Sequence, residues 1–189
     1  MRQLYLVRHA TPAVQPNVPA IEWPLAERGI EEARALAETA RAWDLRAVYA
    51  SREPKAQSTA LIIAEPSLLP VHVVDGFEEL RIEHWIGNSD DFADTVREIL
   101  AQPALSLRGA ERAETAAERF ASAIRIVEQG PFPAAAVTHG RVLSAWLGRT
   151  LHLEDRFTLW RSIPMPGWTR LDLDRLEPGI PPAFHSEAP

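Results

Sequence analysis

Two histidines close strand-like runs and stand next to groups that attract anions. His9 ends Leu4-Tyr5-Leu6-Val7-Arg8-His9, with Arg8 beside it. His139 ends Pro133-Ala134-Ala135-Ala136-Val137-Thr138-His139, with Gly140 opening a helix-like stretch behind it. A neutral imidazole at His9 can attack phosphorus and carry the phosphoryl group as a phosphohistidine. A dianionic phosphoryl group in turn needs several fixed cations or N–H donors. Arg8, Lys55, a protonated His139 and the helix start at Gly140 would supply them. A carboxylic acid could protonate the leaving oxygen, and Glu78, Glu79 and Glu83 fall in one segment that could provide it.

These residues can act together only if the chain brings them to one place. Gln3 to His9 reads as a buried strand. Ala10 to Pro24 follows as a long loop with four prolines, a kind of segment often used for function. Leu25 to Trp43 carries apolar residues at Ile30, Ala33, Leu36, Ala37, Ala40 and Trp43, a helical spacing. Arg46 to Ser51 is the next strand. Glu53 to Ala64 is the next helix, with Pro54 tolerated in its first turn. Leu69 to Gly76 alternates as a third strand. Two amphipathic helices follow, over Phe92 to Gln102 and Glu111 to Gln129. Their charged faces are read as solvated surface. Pro133 to Thr138 is a fourth strand, and His139 to Leu151 the helix after it. Gly167 to Asp174 alternates as a half-exposed edge strand.

Strands alternating with helices of this length imply βαβ units. The expected fold class is α/β: a three-layer sandwich with a mostly parallel sheet flanked by helices. In such sheets ligands bind outside the carboxyl ends of the strands. Arg8-His9, Ser51 with Lys55 one turn on, Glu78-Glu79-Glu83 and Thr138-His139-Gly140 all follow such ends. The topology therefore converges them on one edge.

The bulk properties narrow the class. A chain of 189 residues suits one domain with a real core. A net charge of −6 argues against nucleic-acid binding. The absence of cysteine excludes disulfides, thiolate metal sites and a cysteine nucleophile, and fits a reducing cytoplasm. The N-terminal apolar run is too short for a signal sequence, and no stretch is long enough for a membrane span. No spacing of histidines or acids suggests a metal, and no cofactor is expected. Lys55 is the only lysine beside nineteen arginines, so its occurrence at a strand end asks for an explanation.

Leu6-Val7-Arg8-His9 resembles the R-H-G signature of the histidine phosphatase superfamily, also called phosphoglycerate mutase-like. The resemblance spans residues 3–175. Leu25-Ala26-Glu27-Arg28-Gly29 resembles that family's L-T-x-x-G helix start. The stretch SREPKAQSTA is similar to its S-P-x-x-R-A-x-Q-T-A segment, and EELRIEHWIG to its E-x-x-x-G-x-W-E-G stretch. VTHGRVLSAWL resembles the V-x-H-G-x-x-x-R segment. Position by position, the resemblance makes His9 the phosphorylated nucleophile and Arg8 the first phosphate-binding arginine. Lys55 falls where a second arginine is usual. Glu79, six residues before Trp85, matches the proton donor, and His139 the second histidine, which binds the phosphoryl group with Gly140 behind it. The chain departs from the pattern at Ala10, at Thr11-Pro12, at Lys55, at Glu83 and at Ile86. Glu83 stands where a glycine is usual, so Glu78 and Glu83 compete with Glu79 for the acid.

The resemblance implies a single histidine phosphatase-like domain over residues 1–176. A Pro-rich tail, extended or disordered, occupies 177–189. It implies a phosphoric monoester hydrolase of the histidine acid phosphatase type that acts on a small phosphorylated substrate or a phosphoprotein, away from nucleic acid and membrane. A mutase-type phosphotransferase and a catalytically weak phospho-ligand-binding module on the same fold are the alternatives. His72, His84, His152 and His185 read as ordinary. Trp23, Trp85, Trp160 and Trp168 read as core or pocket wall. Arg28 reads as surface, and Arg81 as a cation near the acid. Arg52 is the neighbour that could share a phosphate with Lys55.

Overall fold

The computed structural model describes residues 1–83 and 89–186. His84, Trp85 and Ile86, which entered the sequence comparison, lie outside the described residues. Five strands form one sheet in the order β3-β2-β4-β1-β5. They are β1 (Gln3–Arg8), β2 (Ala47–Ala50), β3 (Val71–Val73), β4 (Ala134–Thr138) and β5 (Gly167–Asp172). Four run parallel; β5 lies antiparallel against β1 and forms one edge. The helices are α1 (Glu27–Ala40), α2 (Pro54–Ala64), α3 (Ser89–Ala101), α4 (Ala113–Val127), α5 (Gly140–Thr150) and α6 (Arg156–Ser162). This is the α/β sandwich the pattern implied.

The period of two along β1 sorts the core. Leu4 and Leu6 face α4 and α5, while Tyr5 and Val7 face α1 and α2. The central strand β4 is almost all alanine and fully buried, with Ala134 and Ala136 on one face and Ala135 and Val137 on the other. Small side chains there let helices pack closely on both faces. Tyr5 stacks on Trp43, and Trp168 of β5 closes the same cluster.

Three details depart from the pattern reading. Ile30 is exposed, whereas Glu32 on the same helix is buried. The seven-residue α6 had no periodic signal; its start is marked by Asp155, whose carboxylate accepts the Thr158 N–H at 2.9 Å. The described part of the tail turns at Pro178-Gly179 and folds back: His185 and Trp168 exchange both backbone hydrogen bonds, at 2.8 and 3.0 Å. The ring of His185 lies against Trp168 with centroids 4.7 Å apart.

One glycine positions the loop after β1. A Cβ on Gly29 would stand 2.0 Å from the carbonyl oxygen of Thr11, so only glycine lets α1 approach that loop. The same carbonyl accepts the Ala26 N–H at 3.0 Å. Glu32 completes the anchor, accepting from Thr11 N–H at 3.0 Å and from the exposed Arg28 at 2.7 Å.

Candidate active site

The carboxyl ends of β1 and β4 are neighbours because these strands pair in parallel, Arg8 opposite Thr138. The His9 N–H donates to Thr138 O at 3.0 Å, which carries the pairing one residue beyond β1. The two imidazoles therefore meet, with ring centroids 5.0 Å apart and planes at 63°. His9 is 5 % exposed and His139 wholly buried.

His9 is held in one orientation. Its Nδ1 lies 2.7 Å from the carbonyl oxygen of its own neighbour Ala10. A carbonyl can only accept, so Nδ1 carries the proton and Nε2 keeps the lone pair. The Ala10 N–H is fixed in turn by Thr59 Oγ1 at 3.1 Å, and that hydroxyl donates to Lys55 O at 2.8 Å. Thr59 of α2 thus fixes the peptide before Ala10, and Glu32, through the Thr11 N–H, fixes the peptide whose carbonyl holds the ring. Burial, with Arg8, Lys55 and Arg141 nearby, pushes the pKa of His9 down to about 3. The imidazole is neutral, the form in which Nε2 is a nucleophile.

His139 is also driven well below its ordinary value, first by burial and then by His9, Lys55, Arg141 and Arg119. Burial thus favours the neutral form of His139. Its Nε2 lies 2.9 Å from Ser51 Oγ and 3.5 Å from Glu53 Oε1. Its Nδ1 is buried with no hydrogen-bond partner among the described residues.

Arg8 lies across the first turn of α5. A Cβ on Gly140 would come 3.1 Å from its Nε, so the glycine makes room for the guanidinium. One nitrogen donates to Ile163 O at 2.7 Å, while Nε is buried and without a partner among the described residues. Burial lowers the pKa of Arg8, and Glu79 opposes that fall.

The three competing carboxylates are separated by where they point. Glu78 Oε1 pairs with Arg52 at 3.0 Å, and its Oε2 accepts the Gly76 N–H at 2.8 Å. Glu83 is exposed, near Gly109. Glu79 alone reaches the start of α5: its carboxylate accepts the N–H groups of Val142 at 2.8 Å and Arg141 at 3.2 Å. The positive end of α5 therefore already holds an anion, the Glu79 carboxylate. Two of the N–H donors the sequence offered to phosphate are used in this way.

Arg119 of α4, unmarked in the sequence, builds the Glu79 loop. Its guanidinium donates to Gly76 O at 2.9 Å, Glu78 O at 2.7 Å and Glu79 O at 3.0 Å, while Glu111 clasps its other side at 2.8 and 2.9 Å. Thr138 Oγ1 adds a bond to Phe77 O at 2.7 Å. Arg81 is exposed, and its backbone N–H and carbonyl both bond to Glu111.

Lys55 is buried within the same group, but its ammonium is engaged. It pairs with Glu53 and donates to Ala20 O at 2.6 Å. Arg52 points to Asp75 and Glu78 and is half exposed, so it does not share the site with Lys55. Glu53 was missed altogether by the sequence reading. His72 and His152 are exposed and apart from this group. Trp23 is core-like, its Nε1 donating to Gln15 O and Val18 O within the 11–24 loop.

The chain belongs to the histidine phosphatase superfamily: it matches the family model of that superfamily's branch 1 over residues 4–180. No curated protein matches it in sequence. Among solved structures it resembles a mycobacterial glucosyl-3-phosphoglycerate phosphatase, with TM-score 0.74 and 18 % identity over 98 % of this chain and 96 % of that one. Bacillus stearothermophilus YhfR gives TM-score 0.73 and 24 % identity, covering 98 % of this chain and 95 % of that one. A mutant phosphoserine phosphatase from Entamoeba histolytica in complex with phosphoserine gives 0.69 and 18 %, covering 98 % and 96 %. These likenesses show the fold. No helix among the described residues is long and apolar enough to cross a membrane.

Proposed function

We propose that this protein is a cytoplasmic phosphatase that hydrolyses a small phosphate monoester through a phosphohistidine on His9. The observation that carries the reading is the bond from His9 Nδ1 to Ala10 O at 2.7 Å, which leaves Nε2 as a fixed neutral nucleophile 5.0 Å, ring to ring, from His139. In the first step Nε2 attacks phosphorus, and the bond to the leaving oxygen breaks. Glu79, as a carboxylic acid, gives that oxygen its proton. In the second step the Glu79 carboxylate takes a proton from water as the water attacks phosphorus. The P–N bond breaks, phosphate leaves and His9 is neutral again. Arg8, Lys55, His139 and the backbone at Gly140 hold the phosphoryl oxygens, and no cofactor enters.

Phosphorylated sugar acids and phosphoserine are the substrate types suggested by the similar structures, and a panel of esters should start there. The test is release of inorganic phosphate from such a panel, with His9→Ala as the blank. Monoester hydrolysis is among the slowest uncatalysed reactions, so the variant should lose essentially all turnover. Activity near wild type in His9→Ala would refute the mechanism.

A further inference from the structure

Glu53 stands in the turn between β2 and α2 and is 3 % exposed. Both its oxygens are engaged by the groups just described. Oε2 accepts from the Lys55 ammonium. Oε1 accepts the Glu79 N–H at 2.8 Å and lies 3.5 Å from His139 Nε2. It thus touches a proposed phosphate-binding cation, the proposed second histidine and the backbone of the proposed acid at once.

A carboxylate here is unfavourable to an anionic ligand by direct repulsion. What it does to its neighbours decides its sense. Glu53 faces Lys55 and Ser51 from its own segment, Glu79 from the loop after β3, and His139 from the start of α5. His139 faces His9 and the cations Lys55, Arg141 and Arg119. Arg8 completes the ring, with Glu79 opposite it. Arg8, Lys55 and Arg141, the last 3.7 Å from Glu79, stand against Glu53 and Glu79, which leaves one net positive charge with both imidazoles neutral. A phosphoryl dianion entering this site meets too little positive charge. The deficit is made up most readily at His139, whose Nδ1 has no hydrogen-bond partner among the described residues. Once that nitrogen is protonated, the Nε2–H side of the ring already faces Ser51 and Glu53.

We propose that Glu53 is a positioning residue that sets the charge of this site: it holds Lys55 in place and serves as counter-ion to His139, so that a phosphoryl group is bound together with a proton from solvent. This rests on the phosphatase reading above.

The experiment is titration calorimetry of the full chain with inorganic phosphate at a pH well above neutral, where free phosphate is the dianion, in two buffers of different ionisation enthalpy, which counts protons taken up. Wild type should take up close to one proton per phosphate, and Glu79→Gln should do the same, since the proton goes to His139 and not to the Glu79 carboxylate. In Glu53→Gln the counter-charge that calls for a proton at His139 is removed from the site. Proton uptake in that variant should fall, and Glu53→Asp should restore it. Phosphate binding by wild type without proton uptake overturns the proposal, even if Glu53→Gln fails to fold. Unchanged uptake in a folded Glu53→Gln overturns it while wild-type hydrolysis leaves the phosphatase reading standing. If wild type neither binds phosphate nor releases it from any ester, both readings fall.

Discussion

The two buried neutral histidines should make this protein lose stability on mild acidification, before most carboxylates titrate. The pKa of His9 is lowered to about 3, and that of His139 lies well below its ordinary value. In the unfolded chain each returns to about 6.5. Between these limits the unfolded state binds protons that the folded state refuses. Stability is therefore fully present above about pH 6.5 and falls as pH drops toward the folded-state values. At about pH 5 His9 alone has lost roughly 1.5 units at ~1.4 kcal/mol per unit, about 2 kcal/mol, and His139 adds to the loss in the same direction. That is a large part of a typical total of ~5–15 kcal/mol. Glu53 works in the opposite direction where it titrates, since burial raises its pKa and its folded form holds a proton more readily. The assay is urea denaturation at several pH values from neutral to about 5, where the slope of stability should approach two protons per molecule. His9→Gln should reduce that slope by about one proton. A flat profile, or a slope unchanged in a folded His9→Gln, would show that these rings are not held neutral by burial and would remove the electrostatic basis for a nucleophilic His9.

Glu79→Gln should lower kcat by about 10²–10⁴-fold for an ester with a poor leaving group, and far less for an aryl phosphate, because general-acid help matters most when the leaving oxygen is basic. Glu78→Gln and Glu83→Gln should stay near wild type in the same comparison; a larger loss at either would reassign the acid. Arg119→Met removes the donor to three loop carbonyls, and each hydrogen bond to a charged group contributes about 1.5–3 kcal/mol. It should lower kcat by displacing Glu79 and also destabilise the fold in urea, whereas unchanged kinetics would separate the loop from the acid.

The strands were legible because burial on both faces leaves apolar runs with little else in them, as in Leu4 to Val7 and Ala134 to Val137. Their ends were legible too, and strand pairing alone brings Arg8, His9, His139 and Gly140 to one edge of the sheet. The helix α6 was not, since seven residues are too few to display a period, and its cap is a single Asp155. The family resemblance picked out Glu79 among three acids, but the local residues did not show which of them faces the site. Glu78, Glu79 and Glu83 sit within six positions of one another, and Glu78 is turned by Arg52 and Glu79 by the N–H groups of α5, all distant in the chain. Nothing in the local pattern of a loop encodes partners of that kind.

Lys55 shows the same limit at closer range. Reading it as the stand-in for a phosphate-binding arginine located it correctly among Arg8, His9 and His139, but not its partner two residues earlier. Residues spaced by two do not face one another on a helix. Glu53 lies before the first turn of α2, in extended backbone, where that rule does not apply. Its side chain can turn back under Lys55 because Pro54 begins the helix immediately after it. An arginine at residue 55 would hold a phosphate with a planar fork and would leave Glu53 a bulkier, more diffuse partner. The compact ammonium fits between Glu53 and Ala20 O and remains beside both imidazoles. The lone lysine and the buried glutamate are therefore best understood as one feature, a cation supplied to the site together with its own counter-charge.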